Sequence, residues 1–270
     1  MHLADRGRSG SVGFVPTMGA LHQGHISLIK RSKAENSLTV CSIFVNPSQF
    51  NDPRDFERYP RQHEADTAML ENAGCDILFS PSAETVYPGP DTHTYRLGPV
   101  AERLEGRFRP GHFNGVASVV KRFLEMIRPD RAYFGLKDYQ QYLVVRHLTE
   151  EYKIQTEIIG CETVRDPDGL AMSSRNKLLS PTDRRKALEL FKSLSAAKDA
   201  VKRGEKSGLK SIGENYFIGS EKPRLEYFEI ADGETLKPIG DGDISRIAHP
   251  VALVAAHVNG VRLIDNMALR

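Results

Sequence analysis

The stretch SVGFVPTMGALHQGHISLIKRSKAENSLTVCSIFV, residues 11–45, decides the fold. It opens with Ser11-Val-Gly-Phe-Val-Pro16, which reads as a short strand. A glycine-bearing turn follows. From about Gly24 to Asn36, Ile26, Leu28 and Ile29 fall on one side of a helix. Leu38-Thr-Val-Cys-Ser-Ile-Phe-Val45 is an almost unbroken run of apolar and β-branched residues, the pattern of a strand buried on both faces. Strand, helix and buried strand in this order make a βαβ unit.

Outward from that unit the order repeats. Helices are expected at 61–73, 112–127 and 138–151, and strands at 76–79, 131–134 and 154–159. This alternation predicts an α/β domain with a parallel sheet and helices on both faces. Pro81–Pro99 is rich in proline and glycine and reads as a surface excursion. After about Ser180 the character changes. Pro181 opens a long polar helix to about Arg203, and strands follow at 224–230, 251–258 and 261–264. The last two are joined by the hairpin signal Asn259-Gly260. The tail is therefore a small C-terminal α+β domain with an antiparallel sheet. The boundary falls between 161 and 180, and the division taken is 1–163 and 164–270.

The 270 residues carry a net charge of +2, with 40% hydrophobic and 27% charged residues. That is the balance of a soluble globular protein, too weakly basic to argue for a nucleic-acid partner. No apolar run is long enough to span a bilayer, and Met1–Gly10 lacks the apolar core of a signal peptide. Cys41, Cys75 and Cys161 form no metal or redox spacing and read as buried reduced thiols. A cytoplasmic location is the expectation.

Five segments carry chemistry. His22-Gln-Gly-His25 sits where a strand hands over to a helix, a place whose N–H groups and dipole favour anions. Two imidazoles three residues apart share the first turn and can donate to phosphate oxygens. Two surface histidines beside a turn is the plainer reading. Gly169-Leu-Ala-Met-Ser-Ser-Arg-Asn176 offers hydroxyls and the Arg175 guanidinium to a triphosphate, or is simply a turn and cap cluster. Tyr133-Phe-Gly-Leu-Lys-Asp-Tyr-Gln-Gln141 is again a strand-to-helix junction. There Lys137 can reach a phosphate, and Asp138 can cap the helix or approach a metal. Gln140 and Gln141 suit a hydroxylated acid. Phe44-Val-Asn-Pro-Ser-Gln-Phe50 follows the second buried strand, where α/β sheets bind ligands, so Asn46 and Gln49 are placed for a substrate. Gly106-Arg-Phe-Arg-Pro-Gly-His-Phe-Asn-Gly-Val116 reads as a mobile cover bringing Arg107 and Arg109 to an anion, or as an exposed loop with solvated charges.

Together these segments closely resemble the pantothenate synthetases. The resemblance rests on PTMGALHQGH (16–25), FVNPSQF (44–50), DFERYPR (55–61), RPGHFNGV (109–116), YFGLKDYQQ (133–141) and DGLAMSSRNKLLS (168–180), in family order. It implies a Rossmann-like domain followed by a small α+β domain that closes over the site, and usually a homodimer. It implies that ATP and pantoate form pantoyl adenylate and pyrophosphate, after which β-alanine displaces AMP, with Mg²⁺ accompanying ATP. By position, ATP meets Met18, Gly19, Ala20, Leu21, His22, Gln23, Gly24 and His25. It also meets Gly135, Leu136, Lys137, Asp138, Val164, Met172, Ser173, Ser174 and Arg175. His25 has the proton-donor role, with His22 and Lys137 beside it in the chemistry. Gln49 and Gln141 bind pantoate, with Asn46 and Arg109 as further substrate residues, and Asp138 is the one residue placed near Mg²⁺.

Two features depart from the family pattern. Leu136 stands where many relatives have a polar or charged residue, and Met1–Gly10 does not read as the helix that precedes the first strand in relatives. Two other readings stay open on the residues. One is a nucleotidyltransferase acting on a phosphorylated acceptor, which should show basic residues where Gln49 and Gln141 stand. The other is a nucleotide-binding protein without turnover.

Overall fold

A computed structural model describes residues 10–50, 53–89 and 92–270, with only the backbone of Asp55. The reading of the N-terminal segment before Gly10 falls outside the described residues. The chain divides into two units, Met1–Glu162 and Thr163–Arg270.

In the first unit, five strands form one parallel sheet in the order β3-β2-β1-β4-β5. They are β1 (Val12–Thr17), β2 (Leu38–Ile43), β3 (Ile77–Phe79), β4 (Arg131–Gly135) and β5 (Glu157–Cys161). The chain starts in the middle at β1, winds one way through β2 to β3, then returns across β1 to β4 and β5. Right-handed crossovers on the two arms put the helices on opposite faces. Along β1, alternate residues serve alternate faces. Val15 joins Leu28 and Ile29 of α1 (Gln23–Glu35) and Leu70 of α3 (His63–Asn72) in one apolar cluster. Its neighbour Phe14 meets Phe123 of α6 (His112–Ile127) edge-on, with ring centroids 6.0 Å apart. Phe44 and Phe79 pack edge-on against the same ring.

Between these lie short helices that the sequence pattern does not separate: α2 (Pro53–Arg58), α4 (Ala83–Val86) and α5 (Leu104–Phe108). α7 (Tyr139–Glu151) leads towards β5, which starts later than the 154–159 expectation. Lys153 takes a left-handed φ of 52°, and the Ile154 N–H returns to the Thr149 carbonyl. The β-branched residues before Glu157 are thus spent closing the helix.

The second unit pairs α8 (Pro181–Lys202) and α9 (Leu209–Glu214) with an antiparallel sheet in the order β6-β7-β8. The strands are β6 (Arg224–Asp232), β7 (Pro250–Val258) and β8 (Val261–Ala268). Asn259 and Gly260 both have positive φ, as the hairpin signal requires. β8 runs past the expected Ile264 because buried Asp265 has a partner: Arg165 Nη1 donates to its Oδ2 at 2.6 Å and Nη2 to its Oδ1 at 3.0 Å. All three cysteines are free thiols, with Cys41 and Cys161 buried. No helix among the described residues is long and apolar enough to cross a membrane.

Candidate active site

The order of strands creates the site. β1 is flanked by β2 on one side and β4 on the other, so crossovers leave the carboxyl ends of β1 and β4 in opposite directions. A crevice opens at such a switch point. The turn after β1 carries Met18–His22, and the turn after β4 carries Leu136–Asp138.

The first turn is wired into the fold at both ends. Thr17 Oγ1 donates to the Ser42 carbonyl at 2.7 Å and accepts from the Gly19 N–H at 3.1 Å. Buried Asp66, from α3, accepts the Ala20 N–H and the Leu21 N–H, each at 2.8 Å. Gly19 has φ +76°, and a Cβ there would lie 2.9 Å from Asp66 Oδ2. Ala20 is itself held in the left-handed region at φ 50°. Sequence reasoning missed Asp66. An acidic residue in a first helical turn looks like ordinary dipole complementation, and only the fold brings it across to the glycine turn.

His22 then caps α1. Its Nδ1 accepts the Gly24 N–H at 3.1 Å, and His25 Nδ1 accepts the His22 N–H at 3.3 Å. The two rings lie 4.0 Å apart. With each Nδ1 used as an acceptor, each neutral ring carries its proton on Nε2. Protein atoms crowd the His25 ring although some of its surface stays accessible. This burial, with repulsion from His22 second, lowers its pKa to about 3; Asp138 opposes the shift and Lys137 adds to it. His25 is thus a neutral hydrogen-bond donor at ordinary pH, and Lys137 and Asp138 are near enough to act on its charge.

After β4, Lys137 Nζ lies 3.2 Å from Asp138 Oδ1. Asp138 occupies the N-cap position of α7 but makes no side-chain cap there, so its capping role is not realised. Leu136 packs over β5, where a Cβ on Gly160 would lie 2.8 Å from its Cδ2. Gln141 is half-buried on α7. Gln140 has another job from the one expected: it is buried, its Nε2 donates to the Val100 and Arg103 carbonyls, and its Oε1 accepts the Glu105 N–H. That amide is consumed by the fold.

The loop after β2 presents Gln49, whose Nε2 lies 2.7 Å from Met18 Sδ. Asn46, expected at a substrate, is engaged within the fold as a latch. It is 1% exposed, and its Nδ2 donates to the Gly115 carbonyl at 3.0 Å while Oδ1 accepts from Ser48 and Tyr87 hydroxyls. Nor is the 106–116 segment a loose cover. It is α5, a left-handed Gly111 and the start of α6. Arg107 is exposed, whereas Arg109 donates to His112 Nε2 at 3.1 Å and to the Gln49 carbonyl at 3.3 Å, and sits 3.6 Å from Glu105.

In the second unit, Val164–Met172 forms a tight hairpin. The Met172 N–H donates to the Val164 carbonyl at 3.0 Å, and Arg165 bridges Ala171. Arg184 grips Asp166 and Asp168, each at 2.9 Å. Ser173 caps the 3₁₀ turn that follows through its hydroxyl and the Arg175 N–H, and Ser174 is buried.

No group of three or more His, Cys, Asp and Glu able to hold a metal ion occurs among the described residues. The one acidic group at the turn after β4, Asp138, is already beside Lys137. Among the described residues these groups do not make a cage, and their chemistry fits only a cation that arrives on a phosphate-bearing ligand.

A doubly wound sheet with a double-histidine helix cap at the switch point, and a lysine on the adjoining strand end, defines an α/β enzyme of the phosphate-handling HxGH class. Within that class the chain belongs to the pantoate–β-alanine ligase family, whose profile matches residues 2–268. The pantothenate synthetase of Cytophaga hutchinsonii is 46% identical across all of this chain and 95% of its own length. That of Thermotoga petrophila is 45% identical over 98% of this chain and 94% of its own. The crystal structure of pantothenate synthetase from Thermus thermophilus superposes with a TM-score of 0.91 at 44% identity, covering 96% of this chain and 93% of that one. A pantoate–β-alanine ligase from Francisella tularensis, solved in complex with β,γ-ATP and β-alanine, matches with a TM-score of 0.77 at 36% identity over 96% of this chain and 90% of its own. The chain is a ligase of the family that joins pantoate to β-alanine.

Proposed function

We propose that this chain condenses pantoate with β-alanine by way of pantoyl adenylate, with the β1–α1 turn as the phosphate end of the pocket and the β2 loop as the acid end. The observation that carries this is the pair of imidazoles at the switch point whose Nδ1 atoms both accept backbone N–H groups, which leaves each Nε2 to donate, with Lys137 across the strand boundary. A pantoate carboxylate oxygen attacks the α-phosphorus of ATP, and the bond to the bridging oxygen breaks to release pyrophosphate. Bringing two anions together costs free energy that Lys137 and the α1 N-terminus offset. His22 and His25 donate to the oxygens on which charge gathers as that bond breaks. His25 does so first as a hydrogen-bond donor; the arriving triphosphate favours its protonation, against the burial that keeps it neutral. The amine of β-alanine then attacks the acyl carbon, AMP leaves, and the amine loses a proton. No protein nucleophile is needed.

ATP is assigned Met18–His25, Gly135–Asp138, Val164 and Met172–Arg175. Pantoate is assigned Gln49 and Gln141, with Asn46 and Arg109 acting by holding the loop that bears Gln49. Mg²⁺ would ride on the ATP phosphates beside Asp138 and offset their charge. A homodimer in the cytoplasm is part of the same proposal.

Purified protein given ATP, Mg²⁺, pantoate and β-alanine should form AMP and pantothenate in equal amounts, and His25→Ala should lower the rate about 10²-fold or more. Formation of ADP in place of AMP, or equal rates in the two proteins, sinks the proposal.

A further inference from the structure

The sequence segment 109–116 is the motif the reaction does not directly absorb, and its contacts point elsewhere. His112 is buried at the first position of α6. A guanidinium can only donate, so the 3.1 Å contact from Arg109 Nη1 makes His112 Nε2 an acceptor and leaves the ring proton on Nδ1. That nitrogen lies 2.8 Å from the Gln49 carbonyl. Arg109 Nη2 donates to the same oxygen at 3.3 Å. One turn further along α6, Gly115 lies so close to the loop that an added Cβ would stand 2.3 Å from the Ser48 carbonyl oxygen. Behind this stand Glu105, 3.6 Å from Arg109, and Gln140, which holds the Glu105 backbone.

We infer that His112 is a positioning residue for the acid substrate: locked between the Arg109 guanidinium and the Gln49 carbonyl, its imidazole fixes the backbone that presents the Gln49 side chain. This rests on the assignment of Gln49 to pantoate. The histidine touches no reacting atom. Its neutrality matters to the arrangement, since a protonated Nε2 would confront the Arg109 guanidinium with a second donor. Burial first and Arg109 second lower its pKa to about 4, and that keeps the tautomer in place across the working range.

The test is steady-state kinetics on the full-length enzyme, read separately for pantoate and ATP. His112→Phe keeps a ring and loses the donor, and should raise the pantoate KM about tenfold while the ATP KM stays within about twofold. His112→Asn places an amide N–H near the position of Nδ1 and should restore the pantoate KM to within about threefold of wild type. In a Gln49→Ala background, His112→Phe should add little, because the side chain it positions is gone. Should His112→Phe fail to fold, His112→Gln serves, since its amide falls near Nε2 and leaves the Gln49 carbonyl with the longer Arg109 bond alone. A pantoate KM unchanged in the donor-less variant, equal changes in both KM values, Asn no better than Phe or Gln, or full additivity with Gln49→Ala each overturn the inference. A wild-type enzyme that ignores pantoate overturns the substrate assignment itself, and shows before any variant is made.

Discussion

The turn after β1 and the loop after β2 leave neighbouring strands at the same edge of the sheet, yet they are held by opposite strategies. The β1 turn is largely built from itself. His22 and His25 satisfy Gly24 and His22 N–H groups within a span of three residues, and Thr17 serves Gly19. Its distant anchors are Thr17 to the Ser42 carbonyl of β2 and, for the turn itself, Asp66 of α3. The β2 loop has only a short local cap at Asn46 and takes its shape from the α5–α6 junction, through Asn46 to Gly115, and His112 and Arg109 to Gln49. A phosphate site needs a pre-set row of donors, which a helix start supplies locally. An acid site has to set one amide side chain at a chosen point, and that requires a second element to brace it.

Asp66 is where the first strategy depends on the rest of the fold, so its removal should have the largest effect. Asp66→Ala strips two buried N–H groups of a carboxylate acceptor and frees Ala20 from a φ it adopts at a cost. Hydrogen bonds to a charged group are each worth about 1.5–3 kcal/mol, so a loss of about 3 kcal/mol or more is expected. Urea denaturation measures it. Asp66→Asn, which keeps one acceptor, should fall between. A loss under about 1 kcal/mol for the alanine variant would mean that the turn holds without help from α3.

Acid should weaken both regions. His25 is held neutral to about pH 3 and His112 to about pH 4, against 6.5 for an ordinary histidine. As pH falls below about 6.5, the unfolded chain takes up a proton on each ring and the folded chain does not, so stability present above that value drains away towards the folded pKa values. By about pH 5 this amounts to about 2 kcal/mol at most for each ring, and less for His25, whose surface is partly accessible. Urea midpoints at about pH 7 and about pH 5 should differ less in His112→Phe than in wild type. An equal acid loss in both would show that burial of His112 is not part of it.

Next in size is Gly115→Ala. The methyl would be driven into the Ser48 backbone, which has no rotamer to yield. Overpacking of this kind costs about 1–3 kcal/mol. Since the strain enters the β2 loop alone, the pantoate KM should rise and the ATP KM should not. Crosswise effects on ATP would mean that the two regions are one mechanical unit.

The contrast also explains what could be read from residues alone. The βαβ opening announced itself because Val12–Val15 and Leu38–Ile43 are apolar on both faces, and a strand between strands has no wet side. The β1 turn was legible because its parts lie within ten residues. The β2 loop was legible as a place but not as a mechanism. Asn46 looks like a ligand when its distant partners Gly115 and Tyr87 are unknown, and Gln140 and Gln141 are indistinguishable until the helix rotates one into the fold. Arg109 looked like mobile charge for the same reason. Short helices such as α5 and α9 carry too few turns to show a periodicity. β8 extends beyond its apolar run because Asp265 breaks a pattern that Arg165, one hundred residues away, makes tolerable.

The smallest effect distinguishes the latch from its ornament. Ser48 Oγ donates to Asn46 Oδ1 at 3.0 Å, on an exposed residue of the loop. Water can replace that hydroxyl, so Ser48→Ala should cost about 0.5–1 kcal/mol and leave the pantoate KM within about twofold. Asn46→Ala removes a buried donor to the Gly115 carbonyl that water cannot reach, and should cost clearly more while raising the pantoate KM. If the two variants behave alike, the bond from the β2 loop to α6 is not what holds the loop. The bracing of the β2 loop would then belong to His112 and Arg109, which hold the Gln49 carbonyl.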